Sequence, residues 1–156
     1  MKEMIHIGPV PAGLEGPLFV FAGPCVIESP QLCFEIADRL LAIQKATGIG
    51  IVFKAGFDKA NRSSIASFRG PGLTEGIKVL AEVRRRTGLP VMTDVHETGQ
   101  AAEVGKVVDC IQVPAFLCRQ TDLLVACART GKVVNVNIGQ FVSPEEMVNV
   151  VEKVRE

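Results

Sequence analysis

The sequence predicts an α/β fold of the (β/α)8 TIM-barrel type, with five successive β/α units in a single domain over residues 1–156. Three observations predict it. Short runs that are apolar on both faces recur along the chain, as buried parallel strands require. Stretches with helical apolar spacing separate them. Polar residues (Cys25, Lys54, Asp94, His96, Gln112 and Asn137) stand at or just past the ends of several different runs, where barrel active sites are built. A doubly wound sheet is the competing architecture, but no GxGxxG turn opens the first helix. Strand ends also meet water, so polarity there is common without any function.

Each element has its own signal. A Pro/Gly-punctuated lead-in precedes the first strand, LFVFAG at 18–23. Ser29 caps the first helix with Pro30 at its first position; Leu32, Ile36, Leu40 and Ile43 share a face, and Thr47-Gly48 stops it. The second strand is IVFKAG, 51–56. Ile77, Leu80, Ala81 and Arg84 then give a helix one apolar and one charged face, stopped at Thr87-Gly88. PVMTDV, 90–95, leads into a short helix within Thr98–Val108. CIQVPA, 110–115, leads into a helix marked by Leu123, Leu124 and Cys127 and stopped at Thr130-Gly131. After KVVNVNIG, 132–139, Ser143 and Glu146 form a capping box around Pro144, opening a last helix on Met147, Val148, Val151 and Val154.

At 156 residues and 47% apolar, the chain can bury a core. Seventeen basic and seventeen acidic residues cancel, so no net field draws it to nucleic acid or a membrane surface. No apolar run approaches the ~20 residues of a membrane span, and the N-terminus lacks a signal-peptide pattern. Five cysteines (Cys25, Cys33, Cys110, Cys118, Cys127) with no CxxC pair fit free thiols in a reducing cytoplasm.

The chemistry concentrates in VFKAGFDKANRSSIASFR, residues 52–69. Lys54 stands at a strand end, and Lys59, Asn61, Arg62, Ser63, Ser64 and Arg69 follow on one loop. Two lysines, a guanidinium fork and adjacent hydroxyls suit a small, multiply anionic ligand; the plain alternative is a solvated basic loop. Asp94 and His96 in TDVHE share a face if the strand continues, as a sugar-orienting or metal-binding pair or as a structural one. Cys25 in AGPCVIES sits at the mouth; its type and position leave open a metal ligand, a nucleophile or an inert thiol. Pro114-Ala115-Phe116 makes a rigid turn that offers the Ala115 N–H to an anion, and Arg119 adds a cation on the following loop.

FKAGFDKANRSS, TDVHE, IQVPAFLCRQTDLL and GQFVSP, in this order, resemble the 3-deoxy-D-manno-octulosonate 8-phosphate synthase family (2-dehydro-3-deoxyphosphooctonate aldolases), within the class I DAHP synthase-like superfamily. The likeness runs from Phe19 onward. It implies a transferase that condenses phosphoenolpyruvate with D-arabinose 5-phosphate and water in lipopolysaccharide biosynthesis. It implies that Lys54, Lys59, Gln112 and the Ala115 backbone bind phosphoenolpyruvate, with Lys59 reaching toward both substrates. Asn61, Arg62 and Ser63 match the arabinose 5-phosphate site, and Asp94 a residue near the sugar chain; Lys59, Asn61 and Asp94 are the implied catalytic set. Arg119 matches an arginine that crosses a subunit boundary, which implies a homotetramer. Cys25 matches the metal-ligand cysteine of the metal-dependent class, implying a divalent ion (Zn, Fe, Mn or similar) and no organic cofactor. The shikimate-pathway sibling, using erythrose 4-phosphate, is the alternative within the superfamily.

Two departures matter. The family carries VNVKKxQF where this chain reads Val134-Asn135-Val136-Asn137-Ile138-Gly139-Gln140-Phe141. Asn137 thus replaces a lysine, a loss of ~1.5–3 kcal/mol for one charge-assisted bond. The chain also stops at Glu156, so the family's last three β/α units are expected to be absent, with the other metal ligands. Open parallel edges are then expected around Phe19–Gly23 and Val133–Val136. A catalytically silent fragment that keeps phosphate binding or subunit contacts is the other reading this leaves.

Overall fold

The computed structural model describes residues 4–156. Five parallel strands, β3 (Phe19–Ala22), β4 (Gly50–Lys54), β5 (Val91–Asp94), β6 (Cys110–Val113) and β7 (Val133–Val136), form one sheet. Helices α1 (Pro30–Thr47), α2 (Leu73–Thr87), α3 (Thr98–Gly105), α4 (Thr121–Ala128) and α5 (Met147–Arg155) alternate with them. The spatial order β3-β4-β5-β6-β7 is the sequence order. A doubly wound sheet reverses its order part-way; a barrel does not, so the sequential order decides for the first five β/α units of a TIM barrel.

Side-chain alternation separates two cores. Ile51, Phe53, Val91, Ile111 and Val113 face the helices and pack with Leu80, Val83, Val104 and Leu124. Val52, Met92 and Cys110 face the barrel interior and meet Ile7 and Val10. Those last two belong to an antiparallel hairpin, β1 (Ile5–Ile7) and β2 (Val10–Ala12), that plugs the N-terminal end of the interior. The lead-in is therefore structured, which its prolines and glycines concealed. Each aliphatic side chain so buried contributes about 1.5–3 kcal/mol.

The caps explain most boundaries. Ser29 Oγ accepts from Leu32 N, and Gly48 and Gly88 end α1 and α2 in the left-handed conformation. The strands stop short of their apolar runs, β7 most of all at Val136, and two helix boundaries differ from the sequence reading. Helix α4 ends at Ala128, before Thr130-Gly131, and Gly131 takes positive φ only after a further turn. Ser143 and Glu146 do exchange their hydrogen bonds, but around a tight i→i+3 turn, and α5 begins at Met147 rather than Pro144. Strands β3 and β7 are the sheet's two edges, as expected. An apolar groove of about 390 Å³ runs beside β7, lined among others by Val134, Val136, Met147 and Val151.

Candidate active site at the C-terminal rim of the sheet

Above the apolar interior the same faces turn polar. Two residues on from Val52, Met92, Cys110 and Val133 stand Lys54, Asp94, Gln112 and Asn135. Asp94 pairs in register with Gln112, and Gln112 with Asn135. Asp94 is 4% exposed, Gln112 7% and Lys59 9%. Lys59 Nζ donates to Asp94 Oδ2 at 2.5 Å, and Gln112 Nε2 donates to Asp94 Oδ1 at 2.5 Å. Lys54 Nζ lies 3.4 Å from Oδ1. One carboxylate thus serves two ammonium groups, and the cluster keeps an excess of positive charge in a largely desolvated place. Such a site favours an anion: the Lys59–Asp94 pair is weakly screened, and Lys54, 24% exposed, is open to an arriving ligand.

Lys59 comes from the loop rather than the strand, and it is buried because that loop folds back. A Cβ at Gly56 would lie 2.6 Å from Lys59 Nζ and 3.1 Å from the Cys25 carbonyl oxygen, so a side chain there would push the lysine off its present path. Lys59 N donates to the Arg69 carbonyl at 2.7 Å, while the Arg69 guanidinium grips both oxygens of Asp58. This fork holds the Asp58 carboxyl below the usual carboxylate range. It closes the base of an excursion that carries Asn61, Arg62, Ser63 and Ser64, all exposed. Arg62 lines an open cleft of about 500 Å³ with Val26, Glu28, Ser67 and Phe68.

The structure therefore brings Lys54, Lys59, Asp94 and Gln112 into direct contact. It does not bring Asn61, Arg62 and Ser63 onto that cluster; Arg62 opens onto its own cleft, walled by residues of the β3–α1 and β4–α2 loops. Ala115 begins a short 3-10 turn, Ala115–Leu117, beyond β6, and its carbonyl approaches Gly139 so closely that a Cβ there would lie 2.9 Å away. Arg119 is exposed and borders a small hollow with Val142, Glu146 and Lys153. Cys25 is the exposed thiol, while Cys33, Cys110, Cys118 and Cys127 are buried. Burial pushes Cys33 and Cys127 up to about 11 and Cys110 to about 12.

Asp94 and His96 do not act as a same-face pair, because β5 ends at Asp94. The His96 ring meets Phe57 edge-on with centroids 5.9 Å apart, and its Nδ1 is buried without a partner among the described residues. Burial, the largest influence, holds its pKa below the ordinary imidazole value. Gln100 Oε1 accepts from the His96 and Glu97 backbone N–H groups, fixing the turn into α3.

Sequence reasoning missed two parts of the site: the Asp58–Arg69 clasp and Asn135. Asn135 Nδ2 donates to Gln112 Oε1 at 3.0 Å and to Asn137 Oδ1 at 3.2 Å. Its signal was the period of two, since Asn135 follows the interior-facing Val133 as Gln112 follows Cys110.

Residues 3–156 match the DAHP synthetase I family. The chain belongs to that family. It is 58% identical to the 2-dehydro-3-deoxyphosphooctonate aldolase of Koribacter versatilis, covering 100% of this chain and 56% of that protein. It is 56% identical to the protein of that name from Bordetella petrii (92% and 51%), and 47% identical to that from Syntrophotalea carbinolica (99% and 56%). The chain spans about half the length of the curated relatives it matches.

Membership of the DAHP synthetase I family brings the metal expectation to a test against the donors present. Cys25 is exposed at the mouth, and among the described residues no group of three or more His, Cys, Asp and Glu side chains lies close enough to hold an ion. A tightly held metal needs three or four protein ligands. The described residues do not form a metal site by themselves. Asn137, where family likeness expects lysine, joins the amide chain instead, its side-chain oxygen turned to Asn135. No helix among the described residues is long and apolar enough to cross a membrane.

Proposed function

We propose that this chain carries the phosphoenolpyruvate pocket and the sugar-phosphate loop of a condensing synthase. The overall reaction joins phosphoenolpyruvate, D-arabinose 5-phosphate and water to give 3-deoxy-D-manno-octulosonate 8-phosphate and inorganic phosphate. The observation that carries this reading is the pair of lysines gathered on one buried carboxylate at the sheet's C-terminal rim. Family membership and the names of the relatives support the choice of substrates.

The chemistry then follows from charge. C3 of the enol phosphate forms a bond to the sugar aldehyde carbon, water adds at C2, and the C2–O bond to phosphate breaks, releasing phosphate. Two phosphates and a carboxylate must approach one another, so cations position them and offset their repulsion. Lys54, Lys59, Gln112 and the Ala115 backbone take phosphoenolpyruvate, while Asn61, Arg62 and Ser63 take the sugar phosphate. Asp94 holds Lys59 at the junction of the two and faces the sugar chain. Arg119 serves a neighbouring subunit in a homotetramer. Cys25 would be one ligand of a divalent ion whose further donors come from outside the described residues. A cytoplasmic location goes with this reading.

Phosphate release tests the proposal. The chain is incubated with phosphoenolpyruvate plus arabinose 5-phosphate, and separately plus erythrose 4-phosphate, and bound ligand and free phosphate are measured. Release that depends on arabinose 5-phosphate supports the reading. Release only with erythrose 4-phosphate assigns the sibling reaction, and no saturable binding of either phosphoester overturns the proposal.

A further inference from the structure

An amide chain runs across three neighbouring strands and ends on the buried carboxylate. A primary amide has two orientations that differ by a 180° flip and exchange donor for acceptor. Gln112 on β6 is caught between Asp94 on β5 and Asn135 on β7. Asp94 as a carboxylate only accepts, so the Gln112 NH2 must face it, and the Gln112 oxygen is left facing β7. There Asn135 supplies the one donor that orientation needs, at 3.0 Å. The flipped Gln112 would set its oxygen against the carboxylate and its NH2 against the Asn135 NH2. Both ends would then repel, inside a region where Asp94 and Gln112 are nearly closed to water.

Asn135 has a second contact, to Asn137 Oδ1 at 3.2 Å. Because the Asn137 oxygen is turned inward, its NH2 is left for the mouth, where Asn137 is exposed. We propose that Asn135 is a positioning residue: its amide N–H bonds fix Gln112 as a donor to Asp94 and aim the Asn137 NH2 outward as a neutral donor to a bound phosphate or carboxylate. The side-chain partners of Asn135 are the two amides beside it, and it acts through them.

This inference rests on the anion-binding reading of the same site, but its first test does not. Asn135→Asp keeps size and shape and replaces the donor by an acceptor, which reverses the demand on Gln112. Asn135→Ala removes the donor altogether. The Gln112 side-chain NH2 resonances of the ligand-free chain, followed by NMR, report its hydrogen bonding directly. Both variants are expected to shift these resonances and speed their exchange with solvent by about tenfold or more, with the N135D effect the larger. Affinity for phosphoenolpyruvate, titrated in parallel, is expected to fall about tenfold. Unchanged Gln112 resonances in a folded N135D chain would overturn the inference, whatever the ligand does. If the Gln112 signal moves as expected in the variants while the wild-type chain binds no phosphoenolpyruvate, the positioning is upheld and the substrate reading sinks. A purely structural role would lower the melting temperature of N135A and leave the Gln112 exchange rate alone; that result also overturns it. If N135A fails to fold, N135D alone carries the decision.

Discussion

Replacing Asp94 by asparagine removes the one negative charge that Lys54 and Lys59 share. Asp94 accepts from Lys59 and from Gln112 at 2.5 Å each, with Lys54 at 3.4 Å, and the Asp94 side chain is 6% exposed. Breaking a buried pair from one side costs about 3–5 kcal/mol, because a desolvated charge is left without its partner. The Lys54 contact adds little, since that side chain is 24% exposed and water screens it. For a chain of this size the loss corresponds to about 6–20 °C in Tm. The assay is thermal and urea unfolding of wild type, D94N, Lys59→Met and the double variant at pH 7. Removing both members of the pair leaves no stranded charge, so the double variant should be more stable than D94N by at least about 1 kcal/mol. A D94N melting point within about 2 °C of wild type, or losses that add within about 0.5 kcal/mol, would refute the buried-pair argument.

Other outcomes follow from the same geometry. A thiol reagent should modify Cys25 alone in the folded chain and all five cysteines in denaturant; fast modification of a second thiol would contradict the burial of the rest. His96 has its pKa below 6.5 when folded, so the stability it contributes is present above pH 6.5 and lost as pH falls from there through the folded value. His96→Phe should flatten that part of the stability–pH curve, and an unchanged slope would count against it. A Cβ at Gly23 would meet the Lys54 carbonyl oxygen at a backbone φ of +153°, whereas one at Gly48, φ +74°, meets nothing within 4 Å. Unfolding experiments should therefore show Gly48→Ala costing about 1–2 kcal/mol and Gly23→Ala distinctly more; equal costs would contradict the close approach of β3 to β4.

Most of the fold was legible because its signals are local. Five apolar runs, Ser29-Pro30, and the glycines at 48 and 88 each mark an element without reference to the rest of the chain. The N-terminal hairpin was not legible, since Ile7 and Val10 are apolar only toward partners far along the chain. Lys54, Asp94 and Gln112 were found as strand-end residues, but the meeting of Lys54 and Gln112 on the Asp94 carboxylate depends on strand register, which residue type does not reveal. A shared face for Asp94 and His96 depended on the strand running on past Asp94; instead Gln100 captures the backbone at His96 and Glu97 and turns the chain into α3. Asn135 went unread because Val133 had not been placed on the interior face.

The central claim is that Lys54 and Lys59, held by Asp94, form an anion site at the rim of the sheet. Calorimetric titration of phosphoenolpyruvate into wild type and into a folded Lys54→Met/Lys59→Met variant tests it most directly. The account predicts saturable binding that weakens about tenfold or more in the variant and declines with added salt. Equal affinity in both proteins would contradict it.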